Sequence, residues 1–561
     1  MLAVTLLAYA AVSSFEFVYD DGVQIVHNSF VQHWRYVPAF FATHAWQYVT
    51  PYMKSNYYRP IYMIWLLLNF KLFGLHSGAW HLAVVALHLV VTWQVYRLAL
   101  RILENELAAL VSAVLFGLHP IHVEAVAWIS GATEPLVAML MLASLLSYMA
   151  FRQQKRARDY ALSLAWFCLA LFAKESAMMA PMLLFAYDML FPQEATERVI
   201  QRIRGSLTRL IPFAILMGGY LTARFHALQA LGHQMTAVSL QSNLLTIPSL
   251  LLFYARLLAL PIRLSAFYDI GYVTTMEAAL LPALLCLVVV SFAVAMLWRS
   301  RSRPAAFTLV VVVLPLLPVM RLSFLPSGEI AHDRYLYFPS VGFVLLLGLL
   351  FRWVYHRGVT RERWVATGAV FAVMALCFAA TMGQSLYWAD NLVLYARGVN
   401  VAPNNLISRT YLAVELWRRG RVEDALAQYR DVLHREPQFW LARYNLGYAE
   451  YSMNDCERGS RDLQLASYQN PMDPETFFYL GQCRFRLGDR ETGIALMRHG
   501  IDLDPRMPNF RAALADALVL MGTEQNLRSA LELYRAEAIG NPAHPTAARR
   551  AGELEARLTA R

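Results

Sequence analysis

Asp20 and Asp21 are neighbouring carboxylates, placed where an uncharged apolar stretch, residues 1–14, has given way to Phe-Glu-Phe-Val-Tyr. Carboxylates at a membrane exit are costly to keep near lipid and add nothing to packing. The pair is therefore a candidate general base for chemistry at the membrane surface. The plain alternative is a solvated helix end. Three cations stand in comparable positions: Arg59 in the run YYRP, Lys174 beside Glu175, and Arg334 in His-Asp-Arg. Cations facing carboxylates there suit an anionic lipid phosphate held next to a base, and serve equally as salt bridges or headgroup anchors. His119, His122, Glu124 and Glu134 share one short segment, LHPIHVEAVAWISGATE. His-x-x-His with a nearby Glu can ligate a metal, but a third well-spaced ligand is missing. Hydrogen bonding that shapes the loop is the stronger reading, and no metal is expected.

A membrane bundle must position these groups. Of 561 residues, 58% are hydrophobic and 16% charged, against roughly 25% charged in soluble domains. The apolarity dominates residues 1–386, residues 387–403 read as a linker, and residues 404–561 are charge-rich. Candidate spans centre on 2–19, 79–96, 107–119, 135–151, 160–174, 176–191, 210–226, 278–298, 305–321, 337–351 and 364–386. Basic residues cluster in alternate loops, among them Arg97 and Arg101, then Arg152, Lys155, Arg156 and Arg158, then Arg299, Arg301 and Arg303. Those loops are cytoplasmic by the bias of Lys and Arg. If residues 60–75 or 244–260 crossed, the clusters downstream would land outside, so both are expected to be interfacial or re-entrant. Eleven spans remain in an integral inner membrane. They put the N-terminus in the cytoplasm and Asp20-Asp21 with residues 387–561 on the periplasmic face.

The loops account for much of the net charge of +10, and no basic stripe interleaved with aromatics calls for nucleic acid. The first outer loop is aromatic, with Trp34, Tyr36, Trp46, Tyr52 and Tyr58 suited to the level of the lipid headgroups. Cys168, Cys286 and Cys377 read as small buried hydrophobes. No Walker A, GxGxxG or GxSxG motif has its strand–helix context, which argues against a cytoplasmic nucleotide-sugar donor and fits a lipid-linked one.

Residues 404–561 repeat. Pro403, Pro437, Pro471 and Pro505 step by 34, as do Leu412, Leu446, Leu480 and Leu514, each followed by Ala or Gly. Gly420, Asn454, Gly488 and Gly522 mark the turns. This is the tetratricopeptide pattern, two helices per repeat stacked into a solenoid whose concave face binds peptide or protein. Glu450 and Arg484 depart from it, and an insertion near Thr523–Asn526 moves the last proline to Pro542. Cys456 and Cys483 sit near one end of adjacent helices, where an oxidising compartment would permit a disulfide.

The order FVYDD (17–21), YRP (58–60), LHPIHVEAVAWISG (118–131), FAKES (172–176) and DRYLYFPSVGF (333–343), followed by the repeats, resembles the transmembrane-and-tetratricopeptide-repeat protein O-mannosyltransferases. These belong to the GT-C class of polyprenyl-phosphate-sugar-dependent glycosyltransferases. The resemblance implies an all-α, polytopic GT-C bundle and transfer, with inversion, of a sugar to Ser or Thr hydroxyls of translocated proteins. The carrier would be undecaprenyl or dolichyl phosphate, with membrane lipid around the bundle and the acceptor protein docked in the repeat groove. Asp20 or Asp21 would be the base, with Asp20 favoured by its leading position. Arg59, Arg334 and Lys174 would hold the donor phosphate. His119, His122, Glu124, Glu134 and Glu175 would shape the sugar and acceptor pocket. Ala132 stands where the family usually has Arg.

Overall fold

The computed structural model describes residues 1–48, 55–193, 198–325, 328–541 and 544–560; Tyr52 and Pro542 lie outside them. Among the described residues every regular element is helical, as expected of an all-α chain. The chain divides into two units, Met1–Asn405 and Leu406–Arg561. The segment read as a linker lies in the first unit and holds a helix, Asn391–Val401, begun by Asp390, whose carboxylate accepts from the Val393 N–H at 3.0 Å.

Seven helices among the described residues are long and apolar enough to cross a membrane. They are Ser77–Leu103, Ile129–Gln154, Val199–Leu228, Leu240–Ala259, Met276–Ser300, Pro339–Arg357 and Thr360–Trp388. Glu106–Leu118 with Pro120–Ala127, bent by 46°, makes an eighth. The architecture is that of a multi-pass membrane protein. Six of the eleven expected spans are among the seven, and the bent pair is another; Leu240–Ala259 covers a segment expected not to cross, and several other candidates are short, such as Ala157–Ala173, Ala180–Leu190 and Arg303–Val313. The first candidate, 2–19, is helical over Leu2–Ala8 and one tight turn, Ala10–Ser14. There the hydroxyls of Ser13 and Ser14 turn back on the carbonyls of Ala10 and Ala11, and the chain leaves extended at Phe15.

One end of this unit is basic. Arg152 and Arg209 clasp the buried Asp188, which also accepts from the Tyr148 hydroxyl at 2.7 Å, and Arg101 donates to the carbonyl of Leu146. Asn105 caps the helix Glu106–Leu118 at this end, and Pro120 stops that helix at the other. Only glycine at 348 lets Pro339–Arg357 lie so close to it, since a Cβ there would stand 2.1 Å from Ser112 Oγ.

The opposite end carries the predicted site. The helix Pro60–Phe73 begins there, Arg59 preceding it in an ion pair with Glu175; Gly74 follows it, accepting from Trp80 Nε1 at 2.9 Å. Leu240–Ala259 likewise begins with Asn243 bonded to the Met320 carbonyl and ends with the Leu258 carbonyl bonded to His119. Its 20 residues make it long and apolar enough to cross a membrane, whereas the loop charges favour an interfacial or re-entrant course for residues 244–260.

The second unit is the expected solenoid. Leu406–Arg418 pairs with Val422–Arg435, Trp440–Ser452 with Cys456–Gln469, Pro474–Arg486 with Arg490–Leu503, and Phe510–Met521 with Glu524–Gly540, before a last helix, Ala547–Thr559. Gly420, Asn454, Gly488 and Gly522 all adopt positive φ at the turns. The insertion lengthens the helix that Thr523 caps. Cys456 and Cys483 are free thiols in one buried cluster with Leu463 and Leu480.

Candidate active site

Tyr19 sets the direction of the acid pair. Its φ is +56°, a left-handed conformation that costs a side-chain-bearing residue free energy and must be held by its surroundings. The hold is visible: its N–H donates to Asn391 Oδ1 at 2.8 Å, its hydroxyl donates to Glu329 at 3.2 Å, and its ring packs against Trp128 and Phe267. The backbone beyond it sends the two carboxylates to different places.

Asp21 is fully buried. One oxygen accepts both the backbone N–H of Ser130, at 2.8 Å, and its hydroxyl, at 2.5 Å; the other accepts the Val18 N–H at 3.2 Å. It ties the first loop to the turn Ile129–Ala132. Asp20 instead lines a cavity, together with Arg59, Tyr62, Trp128, Glu134, Lys174, Glu175, Arg224, Arg321, Arg334 and Tyr335. Among the described residues its carboxylate accepts only a long bond from Gln24, at 3.4 Å, and Gln24 in turn accepts from Tyr62. Burial, then the negative charges of Glu329 and Asp21, push Asp20 up to about 7, against the pull of Arg334. Burial also raises Asp21 to about 7, with the Ser130 and Val18 bonds opposing it.

The three predicted cations line the cavity, each with a carboxylate partner. Arg59 forks onto Glu175 at 3.1 and 2.7 Å while stacking over Tyr57. Burial alone would raise Glu175, but the guanidinium prevails and holds it at about 2. Lys174 pairs with Glu134. Arg334 pairs with Glu124, whose second oxygen accepts the Arg334 N–H at 2.8 Å, and its guanidinium lies between the rings of Trp128 and Tyr335. Glu134 and Glu175 thus stand at the cavity wall.

His119, His122 and Glu124 do not line it. His119 caps the turn Pro120–His122 with one ring nitrogen and meets the Leu258 carbonyl with the other. His122, fully buried, meets Ser340 at 2.7 Å and packs against Phe116 and Tyr337. Both histidines staple helix ends, because the chain bends by 46° after Leu118 and their rings are buried at the bend. Glu124 lies beneath Arg334 as its counter-charge. Among the described residues no group of three or more His, Cys, Asp or Glu side chains is arranged to hold a metal.

Four contributors escaped the motif reading: Ser130, Glu329, Arg224 and Arg321. Ser130 sits inside a quoted motif but carries no charge to single it out. Arg224 was marked by being ionisable within an apolar helix, a placement that is costly without a purpose. Glu329 and Arg321 lie in irregular segments with no periodicity to mark them.

A family model described as dolichyl-phosphate-mannose-protein mannosyltransferase matches residues 58–217. Protein O-mannosyl-transferase F38B6.6 of Caenorhabditis elegans is 25% identical to this chain, covering 78% of it and 62% of the relative. Protein O-mannosyl-transferase TMTC1 of Homo sapiens is 26% identical, covering 79% and 55%. The chain is thus similar, over about four fifths of its length, to transmembrane-and-tetratricopeptide-repeat protein O-mannosyltransferases. It spans little more than half the length of the curated relatives it matches. Among solved structures, TTC0263, a tetratricopeptide-repeat protein of Thermus thermophilus, is 21% identical with a TM-score of 0.26, covering 33% of this chain and 94% of that one.

Proposed function

We propose that this chain is a membrane glycosyltransferase that moves a sugar, mannose or another hexose, from a polyprenyl-phosphate carrier to Ser or Thr hydroxyls of a protein, with inversion. One observation carries the reading: of two adjacent carboxylates, Asp20 alone opens into a cation-lined cavity while Asp21 is bonded away behind it. The names of the relatives supply the sugar and the protein acceptor.

A Ser hydroxyl is a poor nucleophile, and a positioned base contributes about 10²–10⁴ in rate. Asp20 takes the hydroxyl proton as the oxygen attacks the anomeric carbon. The bond from that carbon to the carrier's phosphate oxygen breaks, and the phosphate departs on its lipid with the electron pair. A carboxyl group near 7 is matched to this work at neutral pH, because enough of it is ionised and the ionised form is basic enough to draw the proton. Guanidinium groups on the wall offset the charge that develops on the leaving phosphate. The basic end of the bundle faces the cytoplasm, and the cavity and the repeats face the other side of an inner membrane. The repeats dock the acceptor through the concave face that such solenoids present.

The test is transfer from a synthetic polyprenyl-phosphate mannose to a Ser/Thr peptide by the purified chain in lipid nanodiscs. Glycopeptide found by mass spectrometry with the unsubstituted chain and lost with Asp20→Asn supports the proposal. Glycopeptide formed equally by both refutes the assignment of the base.

A further inference from the structure

Among the described residues the cavity wall holds five cations, and they are of two kinds. Arg59, Lys174 and Arg334 each spend their charge on a carboxylate. Arg224 and Arg321 have no carboxylate within ion-pair distance among the described residues, although the charge of Arg224 helps Arg59 hold Glu175 low. Arg224 is buried, and its guanidinium donates to three neutral oxygens: the Leu231 carbonyl at 3.0 Å, the Tyr220 hydroxyl at 3.3 Å and the Asn56 carbonyl at 2.8 Å. Arg321 lies over the Phe324 ring at 4.1 Å, on the exposed rim of the same cavity.

Asn56 joins the two. Its carbonyl holds Arg224, while its side-chain amide donates to the Phe324 carbonyl, at 3.3 Å, and to that of His233, at 2.9 Å. Its amide oxygen accepts the His233 N–H at 2.6 Å. Three distant segments are thereby locked so that two guanidinium groups, each with donors to spare, share one stretch of wall. A guanidinium held by neutral groups keeps its full charge for a ligand, whereas one forked onto a carboxylate must share it. Burying such a charge without an anion is costly, which points to an anionic ligand that arrives later.

We infer that Arg224 and Arg321 form the subsite for the phosphodiester of a lipid-linked substrate, while Arg59, Lys174 and Arg334 orient the carboxylates around Asp20. The inference rests on the proposed function. It moves the phosphate from the cations that the motifs single out to two that they do not. Arg224 is the fixed, buried contact; Arg321, at the rim, meets the phosphate as the lipid enters.

Binding of unglycosylated polyprenyl phosphate to the full chain in detergent, followed by native mass spectrometry, tests this. Phosphatidylglycerol serves as competitor, since bilayer headgroups share the same chemistry. Arg321→Gln, at an exposed position, is expected to weaken polyprenyl phosphate binding about tenfold or more, as losing a charged hydrogen bond does. Arg224→Lys, chosen to keep the charge at a buried site, should weaken it less, and both variants should melt within a few degrees of the unsubstituted chain. Arg59→Gln should leave binding within about twofold. Binding that survives Arg321→Gln and Arg224→Lys unchanged, or that falls only with Arg59→Gln, overturns the subsite and leaves the proposed function standing. Equal displacement by phosphatidylglycerol overturns the substrate assignment in favour of a headgroup site. An unsubstituted chain that binds no polyprenyl phosphate overturns the proposed function together with the subsite.

Discussion

Ser130 gives Asp21 two hydrogen bonds on a single oxygen, at 2.8 Å from its backbone N–H and 2.5 Å from its hydroxyl. That relationship separates two side chains that are chemically identical and adjacent. Asp21 becomes the bolt between the first loop and the turn after Trp128, and Asp20 is left to the cavity.

The two carboxylates should therefore fail differently. Asp20→Asn keeps the shape and removes the base, so transfer should fall by about 10²–10⁴ with no change in melting temperature. Asp21→Asn keeps an oxygen that can accept from Ser130, so transfer should fall less than tenfold. Initial rates of the two variants, with thermal melts alongside, check this; equal losses would contradict the division of roles.

Transfer should depend on pH with a definite sign. Asp20 works as a base only when ionised, and it is raised to about 7, so the rate should climb as pH rises through about 7 and level off above it. Glu329 contributes to that elevation as a like charge, and its carboxylate also accepts from the Tyr19 hydroxyl. Glu329→Gln should move the midpoint of the rate profile to lower pH. Arg334, which pulls Asp20 the other way, is the control: Arg334→Gln should move the midpoint up. Rate–pH profiles of the three proteins measure both shifts.

Asn391 should matter although it is far from Asp20 in sequence. Asn391→Ala leaves the Tyr19 N–H without its acceptor and loosens the left-handed residue that aims Asp20. The unmet N–H costs about 1–3 kcal/mol. The turnover number should fall while the apparent affinity for the donor stays close to that of the unsubstituted chain. Steady-state kinetics at varied donor concentration separate the two parameters.

Glu124 should behave as a structural partner. It is 1% exposed and is the counter-charge of Arg334, so Glu124→Gln leaves a guanidinium without compensation. Removing one member of a buried pair costs about 3–5 kcal/mol. A marked drop in melting temperature is expected for this variant.

The repeats offer a test independent of transfer. A Cβ at Gly481 would lie 2.6 Å from the Gly493 carbonyl and 2.7 Å from the Met497 nitrogen, both backbone atoms that cannot move aside cheaply. Gly481→Ala should separate Pro474–Arg486 from Arg490–Leu503 and destabilise the solenoid by about 1–3 kcal/mol. Urea unfolding followed by circular dichroism would show it.

Much of this molecule was determined by the sequence alone, where the signal is local. A step of 34 residues marks each solenoid turn, and the left-handed turns fall at Gly420, Asn454, Gly488 and Gly522 where that step puts them. Alternating basic loops marked one end of the bundle, where Arg101, Arg152 and Arg209 pack. The acid pair stood out because carboxylates next to lipid need a reason. The tertiary structure decided what such signals cannot carry. Arg59 and Glu175 are 116 residues apart and Arg334 and Glu124 are 210 apart, so only the meeting of helix ends could show that their charges are spent on one another. The same packing turned His119 and His122 away from the cavity and brought Arg224, Arg321 and Glu329 into or beside it. Hydropathy and periodicity record where a residue stands along its own helix; a site depends on which helix ends come together and which groups are left facing the space between them.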